Sequence, residues 1–197
     1  MSRKRVGVLI SGRGSNMAAL VEAARAPSYP AEIACVVSNR ADAAGLAFAR
    51  ANAITAHVID HTQFATREAF DEALNAYLKS QHLDIVACAG FMRVMSPVLI
   101  DDWAGRMINI HPSLLPAYKG TRTHERALAD GAKLHGCTVH YVTRELDAGP
   151  VIAQTKVIVF PGDTVESLSA RVLTQEHKLY PKALARVCGE LTRRAST

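Results

Sequence analysis

Residues 84–89 read DIVACA, and this short run limits the possible folds more than any other part of the chain. A strand points successive side chains to opposite faces, so a strand apolar on both faces must be covered on both. Strands of that kind belong to parallel sheets with helices packed above and below. The flanking sequence has the matching rhythm. Residues 5–11 (RVGVLIS) form an apolar run ended by Gly12. Residues 16–26 carry Met17, Leu20, Val21 and Ala24 at helical spacing, with Ser15 or Asn16 as the expected cap. Residues 33–38 read as a second strand, 42–52 as an Ala-rich helix and 54–59 as a third strand. The expected helix over 64–81 places Phe70, Leu74, Tyr77 and Leu78 on one stripe, opposite Arg67, Glu68, Asp71 and Glu72. The segment 84–89 is then a fourth strand and 107–110 a fifth.

Beyond residue 111 the rhythm changes. Residues 112–123 form a loop bearing proline and glycine, and 124–130 a short helix. Two strands over 137–142 and 151–160 are joined by 143–150, which leaves no room for a crossover helix. This pair is therefore expected to be antiparallel. A closing helix over 164–187 is expected to be capped by Asp163 or Thr164 and kinked or split at Pro181. The sum is an α/β fold: a doubly wound, mostly parallel sheet with antiparallel edge strands, in three layers. Such sheets bind ligands beyond the carboxyl ends of their strands, where the strand order reverses. Function is expected just after the first, fourth and fifth strands.

Composition narrows the class. With 49% apolar and 21% charged residues, 197 residues can bury a sizeable core, and one domain over 1–197 is expected. Lys and Arg exceed Asp and Glu to give a formal charge of +5, but no run of five basic residues occurs and aromatics are 6%. That argues against a nucleic-acid partner. The start, MSRKR followed by VGVLI, has too short an apolar part for an export signal, and no stretch approaches a membrane span. A cytoplasmic protein without a membrane partner is expected. Cys35, Cys88, Cys137 and Cys188 are widely separated in apolar surroundings and read as buried free thiols.

Four clusters could carry chemistry. After the first strand comes Ser11-Gly12-Arg13-Gly14-Ser15-Asn16 and then a helix. Its glycines let the backbone curl, and the first N–H groups of the helix face an anion. A dinucleotide fingerprint would need glycine at Met17 and an acidic residue after the second strand, where Ser38-Asn39-Arg40 stands. Arg40 would suit an NADP phosphate, but a single phosphate on Gly14, Ser15 and Asn16 fits better. At the end of strand five, Asn109 and His111 lie two apart and so share a face. An amide there can donate to a developing oxyanion, and an imidazole can transfer protons near neutral pH. Asp147, in ELDAGP, is either a turn former or, with its loop folded back over His111, a carboxylate that stabilises imidazolium. Ala89-Gly90-Phe91-Met92-Arg93 either offers open backbone to a flat heterocycle or packs Phe91 and Met92 into the core. No metal site is expected. His124-Glu125 lacks a second histidine at Leu128, and His135 and His140 fall on opposite faces if they share a strand.

Together, SGRGSN, AGFMR, NIHPSLLP, Thr123-His124, ELDAGP and TQEH at 174–177 resemble the folate-dependent glycinamide ribonucleotide formyltransferases, over about residues 5–183. The resemblance implies a phosphate-binding half over about 1–100 and a folate-binding, catalytic half over about 101–197. It implies formyl transfer from 10-formyltetrahydrofolate to the amine of phosphoribosylglycinamide, a step of purine biosynthesis, by a monomer or weak homodimer. Asn109 would hold the formyl oxygen, His111 would stabilise the oxyanion and pass protons, and Asp147 would orient His111. Gly14, Ser15 and Asn16 would take the substrate phosphate and Glu176 the ribose. Backbone at Met92, Arg93, Val94 and Met95, Asn109, and the loop of Thr143, Arg144, Glu145, Leu146 and Asp147 would frame the folate, with Arg67 at its carboxylate end. Leu115-Pro116 would be a cis peptide. The open alternatives are a 10-formyltetrahydrofolate hydrolase, an NADP-binding oxidoreductase and a non-catalytic ligand-binding module.

Overall fold

The computed structural model describes residues 3–194. The outermost residues of the expected 1–197 domain, 1–2 and 195–197, lie outside this range. Seven strands form one sheet: β1 (Lys4–Ile10), β2 (Ala31–Ser38), β3 (Thr55–Val58), β4 (Ile85–Cys88), β5 (Met107–His111), β6 (Leu134–Tyr141) and β7 (Val151–Ile158). The order across the sheet is β3-β2-β1-β4-β5-β6-β7. The first five strands run parallel, while β5–β6 and β6–β7 pair antiparallel. The order reverses between β1 and β4, so the crevice at their carboxyl ends is the expected ligand position.

The helices are α1 (Ser15–Ala24), α2 (Ala44–Ala51), α3 (Arg67–Ser80), α4 (Pro97–Asp102), α5 (Thr123–Ala129) and α6 (Val165–Arg194). Every residue of β4 is buried, because the sheet has a core on each side. Met17, Leu20, Leu46, Tyr180 and Leu184 pack on one face. Phe70, Leu74, Leu78, Leu99 and Trp103 pack on the other. Burying such side chains contributes about 1.5–3 kcal/mol each. The four cysteines are free and buried.

Several expectations need correction. The cap of α1 is Gly14, at φ 71, rather than Ser15 or Asn16. A Cβ at Gly14 would meet Met17 Cε at 2.8 Å and Gly45 Cα at 3.1 Å, so the α1–α2 approach also favours glycine. Helix α3 starts at Arg67 and not at residue 64, because Phe64 is extended after a 3-10 turn over His61–Gln63 and the extended Thr66 caps the helix, its side chain accepting from Ala69 N. Helix α4 has no counterpart in the sequence reading; Pro97 stands at its first turn, where a missing N–H costs nothing. Asp71, expected on the solvated face of α3, is fully buried. The buried stripe runs through Asp71, Leu74 and Leu78, and the carboxylate accepts the Ser96 N–H. Pro181 does not split α6, which runs unbroken for 30 residues. Leu179, Tyr180, Ala183 and Leu184 are buried around it, so packing on both sides of the proline supports the continuous helix. Thr164 Oγ1 accepts from Ser167 N at 3.2 Å and caps this helix.

Candidate active site

A cavity of about 530 Å³ opens at the carboxyl ends of β4 and β5. Its wall includes Asn16, Met92, Arg93, Val94, Met95, Asn109, His111, Thr143, Arg144, Leu146, Asp147 and Glu176. Gly14, Ser15, Arg67 and Glu145 do not line it. Gly14 and Ser15 sit at the start of α1, beside Asn16. Arg67 is held by Glu68 at 3.1 Å on α3, and Glu145 by Lys119 at 2.9 Å.

The centre of the site is the end of β5. Asn109 faces His140 across the antiparallel ladder, and His111 faces Thr138. The Asn109 amide nitrogen lies 3.2 Å from His140 Nε2. The loop after β6 folds back as one of the two sequence readings required, and Asp147 takes a left-handed conformation at φ 49. Its Oδ2 lies 3.4 Å from His111 Nδ1 and accepts from Gly120 N at 2.8 Å. Both residues are buried, His111 at 5% and Asp147 at 8% exposure, so their attraction is little screened by water. The Tyr118 carbonyl takes the other ring nitrogen of His111 at 2.9 Å. A carbonyl only accepts, so Nε2 carries a proton in this arrangement. Leu115-Pro116, in the intervening loop, is cis.

A second polar pair joins distant parts of the chain. Asn16 Nδ2 donates to Glu176 Oε2 at 2.7 Å, tying α1 to α6. Glu176 is 6% exposed and not a surface carboxylate, and burial raises its pKa above the usual range. Asn16 Oδ1 is buried without a partner. This leaves an acceptor at the cavity wall with unused capacity.

The remaining walls come from two loops. Met92 is 70% exposed, which excludes packing of that side chain into the core. Phe91 stacks on Phe70. Met92 N donates to Ser11 Oγ at 2.8 Å, which in turn donates to Asn39 at 2.6 Å, linking the ends of β1, β2 and β4. Asp71 anchors the far end of the same loop through Ser96 N. Arg144 is fixed to Asp101 at 2.9 Å. Arg40, the candidate for an NADP phosphate, is held by Asp42 at 3.0 and 2.7 Å. Among the described residues, no group of three His, Cys, Asp or Glu could hold a metal ion.

Sequence reasoning missed Asp71, His124, His135 and His140 as parts of this neighbourhood. Asp71 was legible in the helical spacing that it shares with Leu74 and Leu78. The histidines were not, because their partners depend on strand register. His124 Nδ1 lies 3.1 Å from His135 Nε2. Burial lowers the pKa of His124 and His140, and that of His135 to about 4.

Comparisons with known proteins identify the family. The sequence profile of the family described as Formyl transferase matches residues 4–184. The phosphoribosylglycinamide formyltransferase of Escherichia coli (strain K12) is 47% identical over 178 residues, 90% of this chain and 84% of that protein. The trifunctional purine biosynthetic protein adenosine-3 of Bos taurus is 48% identical over 97% of this chain, which spans only 19% of that relative's length. A crystal structure of phosphoribosylglycinamide formyltransferase from Brucella melitensis superposes with a TM-score of 0.91 at 51% identity, covering 95% of this chain and 96% of that one. The glycinamide ribonucleotide transformylase 1 of Symbiobacterium toebii gives a TM-score of 0.93 at 42% identity, over 95% of this chain and 89% of that one. The chain belongs to the formyl transferase family, in its phosphoribosylglycinamide formyltransferase branch.

Proposed function

We propose that this protein transfers the formyl group of 10-formyltetrahydrofolate to the amine of phosphoribosylglycinamide, giving formylglycinamide ribonucleotide and tetrahydrofolate. The observation that carries this reading is the convergence of Asn109, His111 and Asp147 on one cavity, with His111 Nδ1 3.4 Å from the Asp147 carboxylate. Attack of the amine on the formyl carbon builds negative charge on the formyl oxygen and positive charge on the nitrogen. Asn109 donates its amide N–H to that oxygen. His111 stabilises the same charge and carries the proton from the attacking nitrogen toward the departing folate nitrogen. Asp147 fixes the ring from its Nδ1 side, 3.4 Å away. Substrate engages His111 by displacing the Tyr118 carbonyl from Nε2.

The other contacts follow from position. Gly14, Ser15 and Asn16 bind the phosphate at the start of α1, and Glu176 accepts from the ribose hydroxyls. Met92, Arg93, Val94 and Met95, with Thr143, Arg144, Glu145, Leu146 and Asp147, frame the folate. The exposed apolar side chains of Met92, Val94 and Leu146 at the rim support that assignment. Arg67 meets the folate's carboxylate end by releasing Glu68.

The test is a formyl-transfer assay with 10-formyltetrahydrofolate, with and without phosphoribosylglycinamide, following release of tetrahydrofolate. Turnover only with the amine present is expected. Turnover without it would make the protein a hydrolase, and none in either tube would overturn the catalytic reading.

A further inference from the structure

We propose that His140 is a positioning residue for Asn109, fixing which way that side-chain amide faces. The inference rests on the reading of Asn109 as the donor to the formyl oxygen. An asparagine amide has a donor end and an acceptor end of nearly the same shape, and only its partners decide between them. Here the partner is set by strand register, which places His140 directly across from Asn109.

The tautomer of His140 follows from its other nitrogen. Nδ1 lies 2.9 Å from the Tyr141 carbonyl, which only accepts, so Nδ1 carries the proton. In a neutral ring Nε2 is then a bare acceptor, 3.2 Å from the Asn109 amide nitrogen. The reversed amide would set an oxygen lone pair against the lone pair of Nε2. One N–H of Asn109 is therefore committed to His140, and the amide is held with its nitrogen on that side.

The arrangement depends on the ring staying neutral. Asp147 Oδ1, 3.7 Å from Nε2, pulls a proton toward that nitrogen. Burial to 2% exposure and the nearby His111 oppose it. A proton on Nε2 would reverse the amide and present its oxygen, an acceptor, to the ring.

Two measurements test this. The first needs no substrate. Long-range ¹⁵N–¹H spectra of the histidine rings at pH 7, with His140 assigned by its loss in His140→Gln, should show a neutral ring protonated at Nδ1. An Nε2–H tautomer or an imidazolium would overturn the proposal, whatever the enzyme does. The second is kinetic. His140→Leu should lower kcat by about 10–10²-fold with KM for phosphoribosylglycinamide changed less than about twofold, the pattern of a misaimed donor. His140→Gln, whose Oε1 can stand in for Nε2 as acceptor, should stay within about fivefold of wild type. Asn109→Ala combined with His140→Leu should be no worse than Asn109→Ala alone. Wild-type kcat in His140→Leu, or losses that multiply in the double variant, would overturn the proposal. If His140→Leu does not fold, a folded His140→Gln with a loss above about tenfold does so instead. The expected spectrum with no transfer by wild type would instead overturn the proposed reaction and leave the His140–Asn109 orientation standing.

Discussion

The His111–Asp147 pair lends itself to a clean substitution because of its backbone. Asp147 sits at φ 49, where asparagine is tolerated and alanine is strained. Asp147→Asn therefore removes the charge and leaves the turn, and should lower kcat by about 10²–10⁴-fold with the fold intact. Wild-type turnover would remove Asp147 from the mechanism. Glu176 gives the opposite signature. Its pKa is raised by burial, so the folded state resists its ionisation and this cost is present above the raised value. Glu176→Gln keeps an acceptor for Asn16 and removes the cost. It should raise Tm at pH 8 by roughly 2–4 °C, the shift that about 1 kcal/mol produces at this size. The gain should vanish as the pH falls through the carboxyl's pKa, while affinity for phosphoribosylglycinamide drops. An unchanged Tm at pH 8 would mean that the carboxylate is better solvated than its surroundings indicate.

The turn from β1 into α1 is where backbone and function meet. Gly14 combines a left-handed φ of 71 with Gly45 close by, and neither condition suits a side chain. Gly14→Ala should cost about 1–2 kcal/mol in urea unfolding and weaken phosphoribosylglycinamide binding more than folate binding. Equal loss for both substrates would place the damage in the fold at large and not in the phosphate loop. At this scale the sequence is legible where apolar spacing decides. The strands and α1, α2 and α3 are found within a few residues. It is less legible where a polar group decides. The charge of Asp71 suggests a solvated position, whereas its spacing to Leu74 and Leu78 marks the position as inward. Nothing local announced that Ser96 N would meet it.

Across the whole molecule, the buried His135 and His140 and the half-buried His124 have pKa values lowered by loss of solvent. The unfolded chain binds protons at these sites first, so their contribution to stability is present above about 6.5 and lost as the pH falls. For His135, whose pKa is pushed down to about 4, the loss runs from about pH 6.5 to about pH 4. Urea unfolding at pH 7 and pH 4.5 should show a smaller decline in His135→Gln than in wild type. Parallel declines would show that His135 is not the group responsible.

The alternation of apolar runs and helical stripes, the uncharged β4 and the short β6–β7 connection determined the class of the sheet by themselves, because burial of apolar surface acts on local pattern. The same local rule put Asn109 and His111 on one face of β5, since two residues on a strand always point the same way. Local pattern could not decide what stands opposite them. The 3.4 Å approach of Asp147 to His111, the pairing of Asn109 with His140 and the tie between Asn16 and Glu176 join residues far apart in the chain. Each distance depends on loop path, strand register and the docking of α6, which only packing the whole chain at once determines.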